Sequence, residues 1–147
     1  MMGRTKKIEI KTHEHQTFYD VTPEVQKVVE ESGVEEGIAT VFTTHTTSSI
    51  KVLEDESLLK NDVKNFLARL APKESLYYHD EINKREVPDH ERINAYSHLR
   101  SLILPTCETI PIVGKKLALG QWQKINMIEN DPGRDRQVVI LVMGDKQ

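Results

Sequence analysis

Gln137-Val138-Val139-Ile140-Leu141-Val142-Met143 decides the fold. Every residue after Gln137 is apolar and most are β-branched, a composition that suits a strand. A half-exposed strand alternates with a period of two, and this run does not. It therefore needs cover on both faces and is expected as a central strand or beneath a subunit contact. Working outward, Ile8 and Ile10 alternate with Lys7, Glu9 and Lys11, which reads as a half-exposed first strand. His13-Glu14-His15-Gln16 reads as a turn into a second strand that ends at Phe18-Tyr19. Residues 37–44 form an apolar, Thr-rich strand, and residues 48–53 alternate as another. Residues 109–113 turn at Gly114-Lys115 into residues 116–119, and residues 122–129 again alternate in period two.

Helical spacing occurs three times. Thr22 is a fair N-cap, Pro23 fits the first helical position, and Val25, Val28 and Val29 share one face before Gly33 closes the helix. Leu58, Leu59, Val63, Phe66, Leu67 and Leu70 give the clearest helix, closed by Pro72. Residues 94–104 read as a short helix with Leu99, Leu102 and Ile103 on its inner face. Residues 72–92 form a long polar loop whose aromatic and His content argues for order. The fold class is thus α+β: one compact domain over residues 1–147, a mostly antiparallel sheet or sandwich with two or three short helices.

Composition narrows the function. A net charge of -3 lacks the basic footprint of a nucleic-acid binder. No apolar run approaches the ~20 residues that span a bilayer. Met1-Met2-Gly3-Arg4-Thr5-Lys6-Lys7 is followed by no apolar segment of the secretory kind, and a cytoplasmic address is expected. The single Cys107 has no partner for an internal disulfide. It reads either as a nucleophile or as a small apolar strand residue.

The chemistry gathers where the strand at 37–44 ends. Thr43-Thr44-His45-Thr46-Thr47-Ser48-Ser49 sets one imidazole among hydroxyl donors, a composition suited to an anion; the plainer reading is a Thr-rich strand end with a half-exposed His. Of the six histidines, His13, His15 and His90 read as solvent-facing. His45, His79 and His98 lie on different elements, so spacing alone does not group them as metal ligands. Asn94 shares a helix face with His98. Arg134 and Arg136 fit a bidentate phosphate clamp; the plainer reading, which the residues alone favour, is a hairpin loop of solvated charges turned by Pro132-Gly133. Glu54 and Asp62 are candidates for a divalent cation or for ordinary surface acids.

Taken in order, His45-Thr46-Thr47-Ser48-Ser49, Glu54, Asp62, Tyr78-His79, Asn94-Ala95-Tyr96-Ser97-His98-Leu99, Ile110-Pro111-Ile112, Leu119-Gly120-Gln121-Trp122-Gln123, Glu129, Asp131, Gly133, Arg134 and Arg136 resemble the YjbQ-like family, described as secondary thiamine-phosphate synthases. The resemblance runs from about Phe18 to Gly144. It implies a YjbQ-like domain, a homotrimer, and a pocket in which His45, His79 and His98 hold a divalent metal. The implied reaction couples a pyrimidine diphosphate to a thiazole phosphate and releases pyrophosphate. Thr46, Thr47, Ser48, Asn94, Arg134 and Arg136 would bind the phosphorylated substrate, and His45, Glu54, Asp62, Trp122 and Gln123 would be catalytic or shape the pocket. Imidazoles favour a zinc-type ion, whereas a diphosphate substrate brings magnesium, so both cofactors stay open. A metal-dependent hydrolase of a small phosphorylated metabolite and a non-catalytic metal- or phosphate-binding trimer stand beside the synthase. The chain has Asp131-Pro132-Gly133-Arg134 where Asp-Gly-Pro-Arg is usual in the family, which alters the turn before Arg134.

Overall fold

The run at 137–143 lies in the middle of a sheet. The computed structural model describes residues 2–13 and 17–146. The elements in chain order are β1 (Met2–Lys11), β2 (Thr17–Asp20), α1 (Thr22–Ser32), β3 (Glu36–Thr43), β4 (Ser48–Glu54), α2 (Ser57–Leu70), α3 (Ala95–Ile103), β5 (Cys107–Val113), β6 (Lys116–Leu117), β7 (Gln123–Glu129) and β8 (Asp135–Asp145). A five-stranded sheet has the order β1-β8-β3-β5-β6, and a three-stranded sheet the order β2-β7-β4. All pairings are antiparallel, so the fold is α+β.

β8 is hydrogen-bonded on both edges, by β1 and by β3. Its Val138, Ile140 and Val142 are fully buried, while Val139 and Leu141 are half-buried and Met143 is exposed. The expected central strand is present, but cover on both faces is not complete. Val139 pairs with Lys7 on one side and Phe42 on the other, so neighbouring side chains of the outer face shield part of its surface. One core joins these valines to Ala39 and Val41 of β3, Ile110 and Ile112 of β5, Ile50 of β4, Ile125 and Met127 of β7, and Val25, Val28 and Val29 of α1. Burying each such side chain contributes roughly 1.5–3 kcal/mol, which fixes the sheets and α1 against one another.

The helix ends show what the sequence resolved and what it did not. Val21, not Thr22, is the N-cap of α1, because the Thr22 hydroxyl instead accepts the Ile125 N–H at 2.8 Å. Gly33 closes α1 in the left-handed region, at φ 73. Glu56 caps α2 by accepting the N–H groups of Leu58 and Leu59, and those bonds hold its carboxyl below the usual range. Gly114 and Lys115 both have positive φ, which makes the β5–β6 hairpin a two-residue mirror-type turn.

α2 forms as read but buries little of its apolar stripe, and the inner face assigned to α3 is corrected. On α2 only Leu67 is fully buried, and Leu58, Phe66 and Leu70 stand exposed. On α3, Leu99, Leu102 and Ile103 are 39%, 80% and 48% exposed, whereas Ala95, Tyr96, Ser97, Arg100 and Ser101 face inward. The reason is what α3 packs on. Ser97 and Ser101 meet buried Asp131 and Asn130 at the end of β7, so the inner face must carry hydrogen-bonding groups.

Candidate functional site

The turn between β7 and β8 builds the floor of a cavity of about 350 Å³. β7 enters this turn with Glu129, which is fully buried although charged. An isolated carboxylate there would be expensive, and four donors satisfy it. Arg136 donates from Nε at 2.6 Å and from Nη2 at 2.5 Å, Thr12 Oγ1 donates at 2.6 Å, and the Asp131 N–H donates at 2.9 Å. Arg136 Nη2 also donates to Thr47 Oγ1 at 2.8 Å, which ties the β3–β4 loop to the same pair.

Asp131, equally buried, organises the opposite wall. It accepts from Arg134 Nε at 2.7 Å, Asn94 Nδ2 at 3.2 Å, Ser97 Oγ at 3.3 Å and Arg92 Nη1 at 3.4 Å. Arg92 spends its remaining bonds on the turn, donating to the carbonyls of Pro132 and Gly133. Arg134 differs: among the described residues only its Nε has a protein acceptor, so both Nη groups stay available at the cavity. Gly133 is required where it stands, since a Cβ there would lie 2.5 Å from the Thr12 carbonyl oxygen and 2.8 Å from His13 Cα. That close approach lets the Thr12 hydroxyl accept the Arg134 N–H at 2.9 Å and aims Arg134.

His45 follows β3 by two residues and behaves as an extension of its ladder. The Gln137 N–H donates to His45 Nε2 at 2.9 Å, so an imidazole nitrogen replaces the backbone acceptor at the end of the strand. In neutral His45 the proton therefore sits on Nδ1. Burial, then the Arg136 charge, lower its pKa below 6.5, against a smaller opposing effect of Glu129. Burial likewise lowers the pKa of His98, followed by His79, whose ring centroid is 4.7 Å away in an edge-to-face pair.

The structure thus brings His45, Thr46, Thr47, Asn94, His98, Arg134 and Arg136 to one cavity. His79 reaches it through its contact with His98. Other expected residues are elsewhere. Ser48 is fully buried, its hydroxyl is bonded to that of Thr43 at 2.6 Å, and it does not line this cavity. Arg136 also lines the cavity, and its Nε and Nη2 are committed to Glu129 and Thr47, which makes it part of the wall. Glu54 and Trp122 line a different cavity of about 300 Å³, with Gln121 and Lys124. Gln123 pairs with Glu54 across the sheet and accepts the Gly120 N–H at 2.8 Å. Asp62 lies on α2 beside Phe66 and Arg69 in a third cavity. Cys107 is half-buried at the start of β5. His13 is exposed, and His15 lies outside the described residues. His90 is exposed but stands at the rim of the His45 cavity, and Arg92, Glu129 and Asp131 carry more of the site than their sequence context announced.

The three-imidazole metal site fits in part. His79 Nε2 and Asn94 Oδ1 are buried without a hydrogen-bond partner among the described residues, and His79 and His98 adjoin, so these two imidazoles suit a shared ion. His45 does not present a free lone pair, because Nε2 accepts from Gln137 and Nδ1 carries the proton. Among the described residues no three His, Cys, Asp or Glu groups converge on one point.

Residues 6–145 match the family model of the UPF0047 protein YjbQ-like family. A UPF0047 protein of Methanothermobacter thermautotrophicus is 34% identical over 140 residues, covering 95% of this chain and 92% of its own. Two solved structures share the fold. One, a YbjQ-like protein of unknown function from Sulfolobus solfataricus, has a TM-score of 0.89 and 26% identity over 99% of this chain and 100% of its own. The other, an uncharacterized conserved YjbQ/UPF0047 protein from Clostridium acetobutylicum, has a TM-score of 0.83 and 32% identity over 94% of this chain and 99% of its own.

Proposed function

Given that the chain belongs to the YjbQ-like UPF0047 family, we propose that it is a transferase of phosphorylated small metabolites acting in the His45 cavity. The reaction is that of a secondary thiamine-phosphate synthase, joining a pyrimidine diphosphate to a thiazole phosphate with release of pyrophosphate. The observation that carries this reading is Arg134: buried Asp131 holds its Nε, and its two Nη groups have no acceptor among the described residues and share a cavity with His45. A guanidinium fixed at one edge loses little freedom when its other edge meets a phosphate, which favours bidentate capture. Thr46 and the Nδ1–H of His45 add neutral donors for the departing diphosphate, where charge accumulates as the bond breaks.

A divalent ion neutralises diphosphate charge when bound; magnesium would arrive with the substrate, and a zinc-type ion would rest on His79 and His98. Assembly as a homotrimer belongs to the same reading and is supported by the apolar side chains that α2 and α3 leave exposed. Among the described residues no helix is long and apolar enough to cross a membrane, and the expected partner is a soluble metabolite.

The test supplies a pyrimidine diphosphate and a thiazole phosphate with magnesium and measures coupled product and pyrophosphate. His45→Ala should abolish product while circular dichroism stays unchanged; an undiminished rate sinks the assignment. Release of inorganic phosphate without coupled product would instead assign a hydrolase.

A further inference from the structure

Where α3 meets the end of α2 there is a further cavity, whose chemistry the His45 cavity does not explain. Arg100 is two residues beyond His98 and points the other way, toward the end of α2. It is 5% exposed, yet among the described residues no carboxylate lies within ion-pair distance of it. Of its five N–H donors only Nε has an acceptor among the described residues, the carbonyl of Ala71 at 3.0 Å, just past the last turn of α2. Its guanidinium lies 4.8 Å from the centroid of the Tyr96 ring. The donors not used by Ala71 border a cavity of about 310 Å³ lined also by Ala68, Pro72, Lys73, Glu74 and Tyr96. Buried arginines are ordinarily paired, and a fork-shaped group with free parallel donors matches a planar or tetrahedral oxyanion.

We propose that Arg100 and Lys73 form a second anion site, which takes the phosphate or carboxylate group of a small metabolite and is independent of the His45 cavity. The volume admits a head group and a few further atoms rather than a polymer. Lys73 is exposed at the mouth and supplies a second positive charge, and Glu74, also at the mouth, opposes entry. Glu74 is a gate by charge alone, since it makes no ion pair with Arg100 among the described residues.

The full chain is titrated with inorganic phosphate and, separately, acetate, following the Arg100 Nε–Hε resonance by NMR. A saturable shift with phosphate alone assigns a phosphate group, and a shift with both assigns a carboxylate-tolerant site. Lys73→Ala should weaken binding severalfold and Glu74→Gln should tighten it, because both act on the mouth and leave the fold untouched. Arg100→Lys should weaken it at least about tenfold by losing the fork. In an Arg134→Ala background the Arg100 response should persist, which separates this site from the His45 cavity. If neither anion moves the Arg100 signal, or if the mouth variants leave the titration unchanged, the site is overturned and Arg100 is only the C-terminal cap of α2.

Discussion

Replacing Arg136 by Met removes the guanidinium that neutralises Glu129 and leaves a carboxylate buried from solvent on every side. After the change Glu129 keeps only the Thr12 hydroxyl and the Asp131 N–H as donors, and Thr47 loses its donor. Breaking one side of a buried ion pair costs about 3–5 kcal/mol. Total stability of a domain this size is typically about 5–15 kcal/mol, so the variant should be severely weakened and still largely folded at low temperature. A domain of this length shifts by roughly 2–4 °C per kcal/mol, which places the fall in Tm at roughly 6–20 °C. Urea titration with an unchanged m-value would report the loss directly. Adding Glu129→Gln removes the stranded charge, so the double variant should lose at least about 1 kcal/mol less than the two single losses combined. A single-variant loss below about 1 kcal/mol, or strictly additive losses, would refute the assignment of Arg136 as a wall residue whose charge serves Glu129.

Other consequences follow from the same geometry. Gly133→Ala should destabilise by about 1–3 kcal/mol and move Arg134, because the new Cβ meets backbone of Thr12 and His13; thermal melting reads the first and the Arg134 Nε–Hε shift the second. His45 should titrate below 6.5 with its neutral proton on Nδ1, which long-range ¹⁵N–¹H spectra distinguish; a proton on Nε2 would contradict the bond from Gln137. The folded-state pKa values of His45 and His98 are both depressed, so the unfolded chain takes up protons first as pH falls. Their contribution to stability is therefore full above 6.5 and is lost progressively as pH drops from 6.5 toward the folded values, which urea midpoints across that range would show. Arg134→Ala should weaken phosphate-dependent activity by about 10- to 100-fold, the range expected for a charged hydrogen bond, and should also cost stability by taking from buried Asp131 its shortest donor, with Asn94, Ser97 and Arg92 left to hold it; thermal melting reads that loss.

Strand identity was legible where side-chain patterning reports on one neighbour at a time. The alternation of Ile8 and Ile10, the Gly114-Lys115 turn and the apolar run from Val138 each marked an element that formed. The direction of a helix face was less legible. Leu99, Leu102 and Ile103 carry a regular apolar spacing, but α3 lies on Asn130 and Asp131, so polar residues turn inward and the leucines outward. Spacing describes a stripe and not the surface that receives it. The site was half legible. His45 and the Arg-x-Arg element were recognisable by residue type, yet Arg134 and Arg136 fill different roles two residues apart. Arg134 lies in the turn before β8, where buried Asp131 holds its Nε, whereas Arg136 lies within β8 and meets buried Glu129. The signal for that acid was present: Glu129 directly follows Met127 and Ile128, and a charge in so apolar a context requires a partner of opposite sign.

The central claim is that the His45 cavity takes a diphosphate through Arg134, and calorimetric titration of inorganic pyrophosphate into wild type and Arg134→Ala, with and without magnesium, tests it most directly. The account predicts saturable binding to wild type that weakens about 10- to 100-fold in Arg134→Ala. Absent binding to wild type, or equal affinity in the variant, would contradict it.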